Sequence, residues 1–221
     1  MKPFFSTEPE LIAAFGAIKG TDAGSREAMD RALELGVPVM TLPLVLSGEK
    51  EFVVKGSDFK NLGELLSGYE TMRFHLDLSQ CDTSIVRPLV SLLEQNNCTH
   101  RVIISAQKKK LLKGIRGLLP EVATVLSPGE IIYFYFLFRA GLLSLGFKKK
   151  FGGDMLLIPE SIGPSQMATA PLIREAQKRS MTVAFWDIKT REELLRLKAM
   201  GVKSFATQDV EAFLYMVSGD A

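Results

Sequence analysis

Eight short runs of β-branched and aliphatic residues alternate along this chain with eight stretches of helical periodicity, and no other feature constrains the fold as much. The runs are LIAAFG (11–16), VPVMTLP (37–43), MRFHLDLS (72–79), RVIIS (101–105), EVATVL (121–126), DMLLIP (154–159), TVAFWDI (182–188) and SFAT (204–207). They are followed in turn by SREAMDRALELG, LGELLSGY, TSIVRPLVSLLEQN, KKKLLKGIRGLL, PGEIIYFYFLFRAGLL, ATAPLIREAQKRS, REELLRLKAMG and DVEAFLYMV. Parallel strands need a crossover to join them, usually a helix, so this alternation predicts a parallel sheet. Eight βα units without a long gap predict a single-domain (β/α)8 TIM barrel of the α/β class over residues 1–221, with a doubly wound open sheet as the alternative. Residues 44–55 form a hairpin-like excursion after the second strand.

Local signals agree with these boundaries. Ser25 precedes Arg26, Ser127 precedes Pro128, and Thr190 stands three residues before Glu193 as a capping box, all helix starts. Gly36 and Gly201 close helical stretches, where a left-handed residue commonly ends the last turn. The 221 residues, 47% hydrophobic, can bury one large core. With 27 Lys and Arg against 25 Asp and Glu, nothing in the net charge suggests nucleic acid as a partner. Cys81 and Cys98 fit no metal spacing and read as free thiols in a reducing compartment. MKPFFSTEPE has no apolar core of a secretory signal, so a cytoplasmic location is expected. The most apolar run, 131–147, is interrupted by Arg139 and Gly141 and falls short of the ~20 residues that cross a bilayer.

In a barrel of this kind, chemistry sits at the C-terminal ends of the strands. Side chains alternate along a strand, so His75, Asp77 and Ser79 share one face and Phe74, Leu76 and Leu78 the other. The apolar set suits the outer helices, which places His75, Asp77 and Ser79 inside. His75 reads as an inward core histidine bonded to a neighbour rather than as a base. His100, at the start of the next strand, belongs to the opposite face and reads as structural. The stretch LIAAFGAIKGTDAGS (11–25) spaces three glycines four residues apart and meets neither nucleotide fingerprint, G-x-x-x-x-G-K-[ST] or G-x-G-x-x-G.

The C-terminal third, APLIREAQKRSMTVAFWDIKTREELLRLKAMGVKSFATQDVEAFL, resembles the closing segment of the glycerophosphodiester phosphodiesterase family. That segment has a strand ending in Trp-Thr-Val-Asn, a helix with Glu-Glu, then Gly-Val-Asp-Gly and a Thr-Asp turn. Trp186, Glu192, Glu193, Gly201, Val202 and Thr207 match it, whereas Asp187, Ile188 and Lys189 replace Thr-Val-Asn and Gln208 replaces the final Asp. RVIISAQ, SPGEIIYFYFLFRAGLL with DMLLIPE, and the hairpin EFVVKGSD extend the resemblance in the family's order, with an insertion missing after the hairpin. The resemblance implies a TIM barrel and a phosphoric diester hydrolase of lipid metabolism that uses Mg²⁺ or Ca²⁺ with two acid-base histidines.

Carried across position by position, the resemblance also implies what is gone. Ala14 stands at the catalytic His, Phe15 at the Arg, and Gly16 alone remains of His-Arg-Gly. Ala23, Gly24 and Ser25 fall on Glu-Asn-Thr. Thr41 and Pro43 occupy the metal-binding Glu-x-Asp, Lys55 the second His, and Asp77 and Ser79 the Glu-x-Lys. A Mg²⁺ or Ca²⁺ site needs several oxygens, usually with two or more carboxylates. Loss of one general acid or base costs ~10²–10⁴ in rate, and here both histidines and most of the metal shell are missing together.

The expectation is therefore a degenerate, inactive barrel without cofactor, binding a phosphorylated small molecule, a lipid headgroup or a protein partner. The binding candidates are Lys19, Lys55, Asp77, Ser79, Trp186 and Thr207, with Ser105 and Asp187 also at the rim. An active phosphodiesterase with relocated catalytic groups is the alternative. Lysine triplets at Lys108–Lys110 and Lys148–Lys150, each beside apolar residues, read first as solvated faces and second as a peripheral membrane contact.

Overall fold

A computed structural model describes residues 2–5, 11–13 (backbone only), 18, 20–22, 24–48, 51–143, 151–163 and 165–218. Ala14, Phe15, Gly16, Lys19, Ala23 and Lys148–Lys150 lie outside the described residues. Strands β1 (Leu11–Ala13), β2 (Val39–Leu46), β3 (Phe52–Val54), β4 (Arg73–Asp77), β5 (Val102–Ser105) and β6 (Ala123–Thr124) make up the first half. Strands β7 (Met155–Ile158), β8 (Ser161–Ile162), β9 (Ser165–Gln166), β10 (Thr182–Trp186) and β11 (Ser204–Thr207) make up the second. The helices are α1 (Arg26–Glu34), α2 (Leu62–Gly68), α3 (Val86–Gln95), α4 (Lys109–Leu118), α5 (Pro128–Arg139), α6 (Ala170–Gln177), α7 (Arg191–Ala199) and α8 (Val210–Ser218).

Each of the eight expected runs holds one strand of the parallel sheet, whose order is β6-β5-β4-β2-β1-β11-β10-β7. A parallel bridge between Val125 and Met155 joins its two ends. The Asp154 amide donates to Thr124 O at 2.7 Å and the Leu126 amide to Met155 O at 2.9 Å, so the ring closes. That closure decides for a (β/α)8 barrel over an open sheet. The excursion after the second strand is a hairpin: the far end of β2 pairs antiparallel with β3, Leu44 opposite Val54 and Leu46 opposite Phe52.

Two apolar layers follow from the side-chain alternation. Phe74, Leu76 and Leu78 join the large core between barrel and helices, while His75 faces inward from the same strand. Inside, Val39, Ile103, Ala123, Met155, Ala184 and Ala206 form a second cluster around Phe4 and Phe5. Small alanines leave room there for two aromatic rings, which meet edge to face at 5.2 Å. The Arg73 guanidinium lies 5.5 Å from the Phe4 ring and donates to Phe4 O at 3.1 Å. The N-terminal turn therefore floors the barrel and leaves its opposite, C-terminal end open.

Caps act where the sequence placed them. The Ser25 hydroxyl accepts from the Ala28 amide, and Thr190 and Glu193 form a reciprocal capping box. Ser127 and Glu130 form a second box that the sequence reading did not single out. Gly36 and Gly201 carry φ of +68° and +87°, the left-handed conformation expected after a helix. Cys81 and Cys98 are free and buried. No helix among the described residues is long and apolar enough to cross a membrane.

Candidate functional site at the barrel mouth

The ends of β2, β4, β5, β10 and β11 enclose a cavity of about 460 Å³. Another hollow, about 650 Å³, lies at the floor beside Phe5, Asp154 and Lys203. The mouth is where barrels of this type carry chemistry, and it holds most of the polar residues singled out in the sequence. Thr41, Asp77, Ser79, Ser105, Trp186 and Thr207 all line it, and so do His75 and Asp187.

Register explains the convergence. Thr41 pairs with His75, and His75 with Ile103; one step on, Pro43 pairs with Asp77 and Asp77 with Ser105. The inward positions of three adjacent strands thus form a polar layer at the top of the barrel. Thr41 Oγ1 lies 3.2 Å from His75 Nδ1, and His75 Nε2 lies 2.8 Å from Ser105 Oγ. The Ser105 hydroxyl donates to Asp77 Oδ1 at 3.2 Å. The same oxygen accepts from the Ser79 amide at 3.0 Å and the Ser79 hydroxyl at 2.5 Å.

One neutral arrangement satisfies every partner: the Ser105 proton goes to Asp77, the imidazole hydrogen sits on Nε2, and Nδ1 accepts from Thr41. Burial pushes the His75 pKa down to about 4, against the opposing pull of Asp77. The partner at Nδ1 is the Thr41 hydroxyl rather than a carboxylate, so the histidine lacks the orienting acid of a catalytic triad. A serine 2.8 Å from a histidine has the spacing of a nucleophile-base pair, but burial lowers the basicity of this imidazole.

Trp186 is 41% exposed at the end of β10 and gives the cavity a flat apolar wall. Asp187 follows it at φ +64°, a left-handed conformation that costs a non-glycine residue ~1–2 kcal/mol. Its carboxylate pairs with Lys189 at 3.4 Å on the open surface, where such pairs contribute little. Thr207 lines the cavity, but its hydroxyl donates to Asp209 O and accepts from the Asp209 amide. Lys55 sits exposed beyond the hairpin, its amide bonded to Pro43 O, and is not part of the cavity lining. His100 is exposed in the turn that enters β5, away from the mouth.

The sequence reading missed Gln107 and Gln208, which also line the cavity. Each lies one or two residues past a strand end, and that position was the available signal. Among the described lining residues there are two carboxylates, Asp77 and Asp187, and no Lys or Arg.

Among the described residues, the donor set at the mouth does not fit a Mg²⁺ or Ca²⁺ ion. Pro43 has no side-chain donor, the Thr41 hydroxyl is taken by His75, and Asp187 stands at the rim with Lys189. Among the described residues, no group of three or more His, Cys, Asp or Glu side chains could hold a metal.

No protein-family model and no curated protein matches the sequence. Solved structures match it over nearly its whole length. A glycerophosphodiester phosphodiesterase from Parabacteroides distasonis superposes with a TM-score of 0.70 at 16% identity, covering 94% of this chain and 96% of that one. One from Agrobacterium tumefaciens gives 0.69 at 13% identity, covering 95% and 99%. The chain has the fold of the glycerophosphodiester phosphodiesterases. A phosphodiesterase from Oleispira antarctica, solved in complex with the product sn-glycerol-3-phosphate, gives 0.64 at 14% identity, covering 98% and 99%. At these identities the glycerophosphodiester phosphodiesterase fold is common ground, while the chemistry of the mouth has to be read from its own residues.

Proposed function

We propose that this glycerophosphodiester phosphodiesterase-like barrel binds rather than hydrolyses, its mouth taking the hydroxyl-bearing end of a small phosphorylated polyol or lipid headgroup. The observation that carries this reading is the state of the polar layer. His75 is buried between Thr41 and Ser105 with its pKa pushed down to about 4, and Asp77 Oδ1 accepts from three donors. The described groups that acid-base catalysis could use are engaged with one another, and among the described residues too few carboxylates converge to gather a divalent cation.

Asp77, Gln107 and Gln208 can meet hydroxyl groups, and Trp186 can lie against a carbon face. Asp77 carries negative charge into the cavity and its described lining holds no Lys or Arg, which favours a ligand whose phosphate points to solvent. The sn-glycerol-3-phosphate bound by the Oleispira antarctica phosphodiesterase is a suitable probe.

The test has two arms. Pure protein incubated with glycerophosphodiesters and Mg²⁺, Mn²⁺ or Ca²⁺ is expected to release no alcohol. sn-Glycerol 3-phosphate at saturating concentration is expected to raise the unfolding temperature by a few degrees, as ~2–3 kcal/mol of linkage implies. Metal-dependent turnover that disappears in Asp77→Ala would show an active enzyme and overturn the proposal. Absence of any stabilisation would sink its binding half.

A further inference from the structure

The mouth holds a negative charge that no described residue answers. Of the two carboxylates in its described lining, Asp187 stands at the rim and pairs with Lys189 at 3.4 Å. Asp77 is half-buried and forms no ion pair among the described residues. Its Oδ1 accepts from the Ser79 amide, the Ser79 hydroxyl and the Ser105 hydroxyl, all of them neutral donors. Its Oδ2 has no hydrogen-bond partner among the described residues, and the side chain borders the cavity. A carboxylate drawn partly out of water and held only by neutral donors gains most from a ligand that brings the missing positive charge.

Trp186 faces Asp77 across the opening. Ala184 belongs to the inner cluster, so alternation along β10 turns Trp186, two residues on, toward the inside as well. In the closed ring β10 lies four strands from β4 in either direction, on the far side of the barrel. Leu157 and Ala206 give that side further apolar surface. An indole face attracts a cation that has left bulk water, and a carboxylate opposite it strengthens the same preference. The two walls therefore select for one kind of group, a positively charged nitrogen carried on a small organic frame.

We infer that the group held between Asp77 and Trp186 is an ammonium, so that the mouth takes a phosphorylated amino alcohol or amino sugar in preference to a plain polyol phosphate. The ammonium donates to Asp77 Oδ2 and lies against the Trp186 ring, while hydroxyls of the same ligand meet Gln107 and Gln208. The phosphate stays on the solvent side, away from the Asp77 charge. The inference rests on the reading that the mouth binds a small phosphorylated molecule, and it names the charge that such a molecule must bring.

Isothermal titration calorimetry of the full chain with two matched pairs tests it. Serinol phosphate differs from glycerol 3-phosphate, and glucosamine 6-phosphate from glucose 6-phosphate, by an ammonium in place of a hydroxyl. The aminated member of at least one pair is expected to bind about tenfold or more tightly, and the pair that shows the difference distinguishes amino alcohol from amino sugar. In Asp77→Asn, which keeps an acceptor for Ser79 and Ser105, that advantage is expected to shrink to about twofold or less. Trp186→Leu is expected to reduce it severalfold, with the fold kept because the side chain is 41% exposed. Equal affinity within both pairs leaves the mouth a binding site and overturns the ammonium assignment, as does a full advantage retained in Asp77→Asn. Should melting curves show that Asp77→Asn does not fold, an undiminished advantage in Trp186→Leu overturns it instead. Binding of none of the four compounds overturns the reading on which the inference rests, and the inference with it.

Discussion

His75 shows how a single residue can be legible in type and illegible in role. Its inward position follows from strand alternation, and an inward histidine bonded to a neighbour was the expectation. Its two partners, Thr41 and Ser105, lie on different strands and could be paired with it only by register. Because burial holds its folded pKa near 4 against an ordinary 6.5, the unfolded chain binds a proton that the folded chain does not. Stability is then full above 6.5 and declines as pH falls from 6.5 toward 4. His75→Gln should be less stable at neutral pH by about 1–3 kcal/mol, through unpaired neighbours, yet lose less on acidification across that window. Urea melts of both proteins at several pH values measure the two slopes, and parallel slopes would exclude His75 as the source.

At the scale of elements, the eight strands and eight helices were readable because each carries its own punctuation. What differs between helices is where the cap sits. Thr190 and Glu193 cap α7 on an exposed surface, whereas Ser127 and Glu130 cap α5 in the interior, where Glu130 also holds Arg116. Burial raises the Glu130 pKa, but its bonds from Arg116 and Ser127 outweigh this and hold the carboxyl below its usual range. Thr190→Ala should therefore cost about 1 kcal/mol, and Ser127→Ala about 2 kcal/mol, because the second leaves a buried carboxylate short of donors. Chemical denaturation of the two variants checks the order, and equal losses would mean that burial adds nothing to the cap. The apolar outer face of α5 is the converse case. Its sequence is apolar nearly throughout, and only the tertiary structure shows that Phe134 and Leu137 are buried while Ile132 and Phe136 are exposed.

For the whole molecule, closure is the decisive event. Phe4 and Phe5 fill the floor between alanines of β6, β10 and β11, so the barrel is a packed core below and a cavity above. Phe4→Ala should cost about 3–5 kcal/mol and lower the unfolding temperature by roughly ten degrees or more, seen by calorimetry. A shift of only a degree or two would mean that the N-terminal turn is not part of the core. The sequence by itself determined the count of βα units, their order, the hairpin after β2 and the faces on which Phe74 and His75 point, because these depend on periodicity and caps within a few residues. Only the tertiary structure decided that β6 meets β7, that Thr41, His75, Ser105 and Asp77 share one bonded layer, that Lys55 stands apart from the cavity, and that Ile132 and Phe136 of α5 are exposed. Those depend on strand register and on which element fills each gap, and both are set by contacts between residues far apart in the chain.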